Sequence, residues 1–335
     1  METNQLQQDL FSYLKTQLPP HLSLVDELGD LLSLSPDSVY RRIRGEKPIT
    51  LNELKRICEK YNLSIDQMLK LENESVLFHA PGMVNKPANF LEYMKAMKGQ
   101  FQFFSSHKNK ELHYLCKDAP FWYFYLFPHL AAFKTFFWSK TINNYPEYHN
   151  KQFSYAEFPF TDCFNIGQEI LQLHNDMLTV ELWNLESINS TINQILYFKE
   201  SGLFKTDEDM NLVVDSLHQL FDHLELQAEK GQKFMPGASE VSYRAAHQFY
   251  VNDLILGNNT ILLLLEGQRV SMITYSVFNY LITKDVRFSE KAFETFNTLL
   301  SRSQLISGTG ERDRVRFFKA TREKINKLRK LPLHQ

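Results

Sequence analysis

The sequence predicts a two-part fold: a small all-α domain of about five helices over residues 1–74, followed by a larger, mostly helical α+β domain over 75–335. Three observations carry this expectation. The first 74 residues read as short amphipathic segments separated by capping and breaker residues. The stretch Glu72–Asn89 loses that period and holds Pro81-Gly82 and Pro87, which places a boundary near residue 75. Beyond it, long helical periods alternate with short apolar runs such as Ile261–Leu265.

In the first part, Leu6, Leu10, Tyr13 and Leu14 keep a helical spacing until Pro19-Pro20, where the missing backbone donor ends the segment. Ser23 opens a second helix carrying Leu24, Leu28, Leu31 and Leu32. Ser35-Pro36-Asp37 opens a third: a capping hydroxyl, a proline already at helical φ, then an acid beside the free N–H groups. Gly45 stops it. Thr50-Leu51-Asn52-Glu53 is a capping box for a fourth helix with Leu51, Leu54, Ile57, Cys58 and Tyr61 inward, and Ser64-Ile65-Asp66-Gln67 opens a short fifth. In the larger part, helices are expected over 88–103, 120–141, 161–177, 187–200, 207–230, 276–283, 289–303 and 311–330. Strands are expected over 111–116, 244–255, 259–265 and 269–275, the last two forming a hairpin around Glu266-Gly267-Gln268.

Composition narrows the class. With 43% hydrophobic and 23% charged residues the chain is an ordinary folded protein, not a low-complexity one. Cys58, Cys116 and Cys163 are odd in number and far apart, so neither a disulfide framework nor a zinc-finger spacing is visible. The opening METNQLQQDL lacks the basic and apolar regions of a secretory signal, so a cytoplasmic location is expected. Ala119–Trp138 is very aromatic, but Pro128, His129 and Lys134 interrupt it, so a buried helix is expected there and no membrane span. A net charge of −2 provides no field over the whole protein, so any binding to phosphate must be local.

The sequence offers one local candidate. Between Ser23 and Leu69 the order is helix, short turn, helix, basic turn, capped helix, as a helix-turn-helix domain requires: one helix braces the phosphate backbone while the next enters the major groove. Gly29 lies on the bracing helix where a close helix crossing is expected, and Leu34 points inward from the turn. Val39 and Ile43, four apart, share the buried face of the recognition helix, 35–44. That leaves Pro36, Asp37, Ser38, Tyr40, Arg41 and Arg42 outside. Arg41, Arg42, Arg44 and Lys47 place four cations within seven residues, opposed by Glu46. Arginine pairs bidentately with phosphate or with the guanine edge, so these residues are expected to contact double-stranded DNA, with Ser35, Pro36, Asp37, Ser38 and Tyr40 completing the surface. Residues 22–72 hold eight Lys and Arg against nine Asp and Glu, so affinity must come from one face or from a dimer.

The run Ser23–Leu69 resembles the lambda repressor-like, or Xre-type, helix-turn-helix domain, and Tyr40-Arg41-Arg42-Ile43-Arg44-Gly45-Glu46 is similar in particular to BetR-type regulators. Gly29, Ser35, Arg44-Gly45 and the capped helix from Thr50 match. Val25, Arg42 and Ile43 depart, which leaves open whether Arg41 or Arg42 reaches the bases. The resemblance implies transcriptional control, commonly as a homodimer on a symmetric operator.

For the larger part the expected role is dimerisation or the sensing of a small-molecule effector of unknown identity. The rival reading is an effector, interaction or enzymatic protein whose N-terminal helices serve assembly. Asp215, His218 and Asp222 share a helix face at spacings of three and four, a weak metal pattern, and a solvated face is the expectation. The aromatic run Phe121–Trp138 reads as core, with a pocket or dimer face as the alternative. Residues 311–330 hold nine Lys and Arg against three Asp and Glu around the stripe Val315, Phe318, Ile325 and Leu328; a solvated exterior is expected, with phosphate or an acidic partner as alternatives. No glycine loop, zinc spacing or nucleophile elbow occurs, so neither a cofactor nor a catalytic centre is expected.

Overall fold

The computed structural model describes residues 2–18, 22–61, 63, 75–81, 89–238, 245–253, 257–276 and 279–330. The chain divides into two compact units, Met1–Leu77 and Phe78–Gln335.

The first unit contains four helices among the described residues: α1 (Glu2–Gln17), α2 (Leu24–Leu32), α3 (Pro36–Ile43) and α4 (Leu51–Tyr61). The expected fifth, from Ser64, lies outside the described residues. The starts follow the local chemistry. Ser23 accepts from the Asp26 N–H at 3.4 Å, Ser35 from that of Ser38 at 3.4 Å, and Thr50 from that of Glu53 at 3.2 Å. The Glu53 carboxylate returns a bond to the Thr50 N–H at 2.8 Å, completing the box. Gly45, at φ 78°, ends the turn after α3 in a conformation that a side chain would strain. One core joins the helices: Leu10, Phe11 and Leu14 of α1, Leu28 and Leu32 of α2, Val39 of α3 and Ile57 of α4. Of the residues on the helical period of α1, Leu6 and Tyr13 are each 46% exposed, while Phe11 is buried beside Leu10 and Leu14. Leu51 is 84% exposed because, as the first residue of α4, it precedes the turn that meets the core.

The second unit is a seven-stranded sheet ordered β6-β5-β4-β1-β2-β3-β7. Its strands are β1 (Lys110–Cys116), β2 (Leu178–Trp183), β3 (His247–Val251), β4 (Thr260–Leu265), β5 (Gln268–Thr274), β6 (Tyr280–Thr283) and β7 (Gln304–Leu305). The centre β1-β2-β3 is parallel; β4, β5 and β6 extend it antiparallel on one side and β7 on the other. The helices are α5 (Phe90–Ser105), α6 (Pro128–Phe137), α7 (Thr161–Asn175), α8 (Asn189–Glu200), α9 (Asp207–Lys230), α10 (Val286–Leu300) and α11 (Glu311–Lys330). Glu266 and Gly267, both at positive φ, make the two-residue hairpin between β4 and β5.

Side-chain alternation divides the interior. Leu112 and Tyr114, Trp183, Phe249, Ile261 and Leu263, and Val270 and Met272 face the main core, where the aromatic run and the helices α5, α6, α7, α9 and α11 contribute. Leu115, Val180, Leu182 and Leu262 point to the opposite face and meet Phe293 and Phe296 of α10. The segment expected as one helix over 120–141 breaks at Pro128 into a 3₁₀ helix, Phe121–Leu126, and α6, and ends in a π turn, Trp138–Ile142. Phe121 to Leu126 are all buried, and among the described residues no helix is long and apolar enough to cross a membrane.

Three strands escape the sequence reading. β2 was not foreseen; β6 replaces the helix expected over 276–283, because β5 offers an edge that pairs Met272 with Ile282; and β7 is a two-residue addition to β3. The strand expected over 244–255 spans only His247–Val251 among the described residues. A buried polar nest explains why β2 was hard to see. Glu181 in its middle is fully buried and accepts from the Tyr123 hydroxyl at 2.6 Å and the Trp183 indole at 2.8 Å, with the His247 imidazole 3.5 Å away. Beside it the buried Lys233 ammonium donates to the carbonyls of His174 and Met177 and to the Thr179 hydroxyl.

Candidate nucleic-acid interface

α2 and α3 are joined by Ser33-Leu34-Ser35, with Ser33 in the left-handed conformation at φ 57° and its N–H bonded to the Gly29 carbonyl. A Cβ on Gly29 would stand 3.3 Å from the Leu34 carbonyl oxygen, so the close approach is to this turn and not, as expected, to a crossing helix. Leu34 packs inward against the core.

On α3, Val39 is buried and Ile43 half-buried, which fixes the rotation of the helix. Ser35, Pro36 and Asp37 are exposed, Ser38 half-buried, and Tyr40 is 49% exposed. Arg41 and Arg44 carry side chains 51% and 54% exposed, and Lys47 is exposed after the turn. Arg42 corrects the sequence reading. It is 4% exposed and its guanidinium forks onto Glu53 of α4, at 2.7 and 3.3 Å, with a third bond to the Ser38 carbonyl at 3.1 Å. One turn holds either Arg41 or Arg42 outward, and the Val39 anchor gives that place to Arg41. Glu53 thus serves both the α4 cap and the buried pair. Burial would raise its carboxyl, but the Thr50 N–H and Arg42 more than offset that and hold it below the usual range.

Electrostatics at the exposed end are already half-balanced. Glu46 receives Arg44 at 2.6 and 3.1 Å and lies 3.7 Å from Arg41. The hydrogen bond from Arg44 is the chief cause that holds the Glu46 carboxyl below its ordinary value. A phosphate arriving here must compete with that carboxylate. The concave surface between α2 and the start of α3 is lined by Asp26 and Asp30 as well as Pro36, so it repels phosphate. Cationic character therefore concentrates at Arg41, Arg44 and Lys47, beyond the middle of α3.

Sequence reasoning missed what braces this end. Gln7 of α1 donates to the carbonyls of Arg42 and Lys47, at 2.7 and 2.8 Å, and its own carbonyl oxygen accepts from the Ile49 N–H at 2.9 Å; Gln8 donates to the Arg44 carbonyl at 2.9 Å. Polar residues on an amphipathic helix normally face water, so nothing in their spacing signals this clamp.

Residues 17–101 match the BetR domain. This is a helix-turn-helix family, so at that level the region is of a DNA-binding, regulatory type. The BetR match covers α2, α3 and α4 and continues past residue 77 into α5 of the larger unit. No curated protein and no solved structure matches the chain.

Two other candidates resolve differently. Asp215 and Asp222, two members of the weak metal pattern, are spoken for by α11: Arg329 pairs with Asp215, and Arg322 reaches Asp222 at 2.8 Å and also Glu225. The basic last helix is thereby explained in good part, since its cations meet the acidic flank of α9. Arg316 pairs with Asp253, Arg314 bonds the Ile306 and Gly308 carbonyls, and Lys324 bonds the Leu185 carbonyl.

Proposed function

We propose that the chain is a sequence-specific DNA-binding transcriptional regulator that places α3 in the major groove. Tyr40, Arg41, Arg44 and Lys47 contact DNA; Ser35, Pro36, Asp37 and Ser38 form the leading end of the helix; Arg42 orients it from within. The observation that carries the reading is the outward display of Arg41 and Arg44 on a capped helix whose opposite face is anchored by Val39 and the Arg42–Glu53 pair. The BetR match supports it. Because the first unit is not basic, useful affinity calls for two copies on neighbouring half-sites, so the larger unit is assigned homodimerisation and effector sensing, with no catalytic step.

Affinity of the full chain for its selected duplex, measured against salt, tests this. Each phosphate contact adds about −0.9 to the slope, so Arg41→Ala and Arg44→Ala should each flatten it by about that amount per protomer. Unchanged slopes in both variants, with the fold intact, would defeat the reading in favour of an assembly role for the small unit.

A further inference from the structure

On the proposed placement of α3, phosphate falls to Arg41, Arg44 and Lys47, and contacts to phosphate position a protein without specifying a sequence. Discrimination between bases then belongs to the leading end of α3, where a recognition helix meets base edges. Asp37, Tyr40, Arg41 and Arg44, at spacings of three, one and three, form one outward stripe along the helix. Arg44, whose proton is held chiefly by Glu46, also feels the charge of Asp37 two turns earlier.

Asp37 is the unspent member of that stripe. Capping is done by Ser35, which accepts from the Ser38 N–H at 3.4 Å, and the Ser38 hydroxyl is turned to that of Ser35 at 3.1 Å. The cations of α3 and its turn are drawn elsewhere, Arg41 and Arg44 to Glu46 and Arg42 to Glu53. Asp37 is exposed, and among the described residues it has neither a hydrogen-bond nor an ion-pair partner. Its neighbours at this end select little: Pro36 carries no donor, and the Tyr40 phenol can give or take a hydrogen bond. An ionised carboxylate only accepts. In the major groove guanine shows two acceptors, thymine an acceptor and a methyl group, adenine an acceptor beside its donor, and cytosine a donor alone. Three of the four edges set an acceptor against Asp37, and the phosphates repel it too.

We propose that Asp37 reads cytosine, accepting the N4 amino hydrogen that points into the major groove, and so fixes one C·G pair in each half-site. This rests on the DNA-binding reading and goes past it by naming a base. The carboxylate acts by exclusion as much as by attraction: it weakens contact with every duplex, least where a cytosine amine is in reach.

The experiment selects duplexes from a random pool with the full chain, as wild type, Asp37→Asn and Asp37→Ala, and then measures affinities at fixed salt. Wild type should prefer cytosine at one position of the half-site by about fivefold or more. In Asp37→Asn that preference should move to adenine, whose donor and acceptor suit an amide. In Asp37→Ala discrimination there should fall below about twofold, with the salt slope unchanged and affinity for an unrelated duplex no lower. The same motif from all three proteins, a lost preference for a base other than cytosine, or an equal loss of affinity for every duplex in Asp37→Ala would each overturn the assignment and leave α3 in the groove. A pool from which wild type enriches nothing would overturn the DNA-binding reading and this inference with it. Should the variants fail to fold, wild type decides: N4-methylcytosine at the preferred position must weaken binding by about fivefold or more, and equal binding would overturn the assignment.

Discussion

Arg42→Ala removes the inner anchor of α3, the helix proposed to enter the major groove, without touching its outer surface. Three hydrogen bonds disappear and Glu53, whose side chain is 17% exposed, loses its counterion. Deleting one partner of a buried pair costs about 3–5 kcal/mol. Because Glu53 retains the Thr50 N–H and some water, about 2–3 kcal/mol is expected here. At 1.4 kcal/mol per factor of ten, opening of α3 and α4 becomes roughly 30- to 150-fold more frequent. Hydrogen exchange on the full chain reads this directly: amides of residues 37–43 and of Leu51–Tyr61 should exchange faster by that factor while those of β1, β2 and β4 serve as an unchanged reference. Replacing both partners, as Arg42→Met with Glu53→Leu, should recover much of the loss. Unaltered protection in α3 and α4, or a salt slope reduced as much as in Arg41→Ala, would show that the guanidinium is outside and that the rotation assigned to α3 is wrong. The pair also carries a pH signature. Since the folded carboxyl of Glu53 lies below its unfolded value, its contribution is present above the ordinary carboxylate range and is lost as pH falls through the folded value.

Three further outcomes are expected. Glu46→Gln frees Arg41 and Arg44 for phosphate and should raise duplex affinity about two- to fivefold in a binding titration; a decrease would mean that Glu46 itself reads a base. Gly167→Ala would set a Cβ 2.3 Å from the Tyr125 ring, so the larger unit should lose about 2–3 kcal/mol in denaturant unfolding although alanine favours α7 by about 1 kcal/mol; an unchanged midpoint would contradict the α7 packing. Lys134 and Lys233 are both brought down to about 7 by burial, whereas an unfolded lysine keeps its proton to about 10.4. Between those values the unfolded chain binds more protons, so stability of the larger unit should rise with pH, by at most about 1.4 kcal/mol per unit for each lysine, up to about pH 8.5 where unfolded cysteines begin to ionise. A flat or falling denaturation midpoint across that window would place both ammonium groups in water.

Legibility followed how local the cause was. The starts of α2, α3 and α4 were readable because each is set by a hydroxyl three residues before the N–H it accepts. The hairpin at Glu266-Gly267 was readable for the same reason. β2 was not, because Glu181 interrupts its apolar run and is satisfied by Tyr123, 58 residues away. β6 was misread since four residues decide nothing alone and its pairing with β5 supplies the answer. At the interface, the exposure of Arg41 and Arg44 followed from the period of α3, whereas the inward turn of Arg42 depended on a carboxylate 11 residues further on. A usable signal did exist: Arg42 departs from the pattern the domain resembles, and Glu53 was already marked by its capping role. The cations of α11 read as a free basic face because their acidic partners, among them Asp222 and Glu225, come about 100 residues earlier.

On the proposed DNA-binding reading, the grip of Gln7 on both sides of the turn after α3 makes the first helix a lever on target choice. A tag, a cleavage or a partner that unseats α1 would let Arg44 and Lys47 drift while every side chain at the duplex stays native. Loss of selectivity with retained general attraction to polyanions is the phenotype such a lever leaves, and screens confined to surface arginines would overlook it.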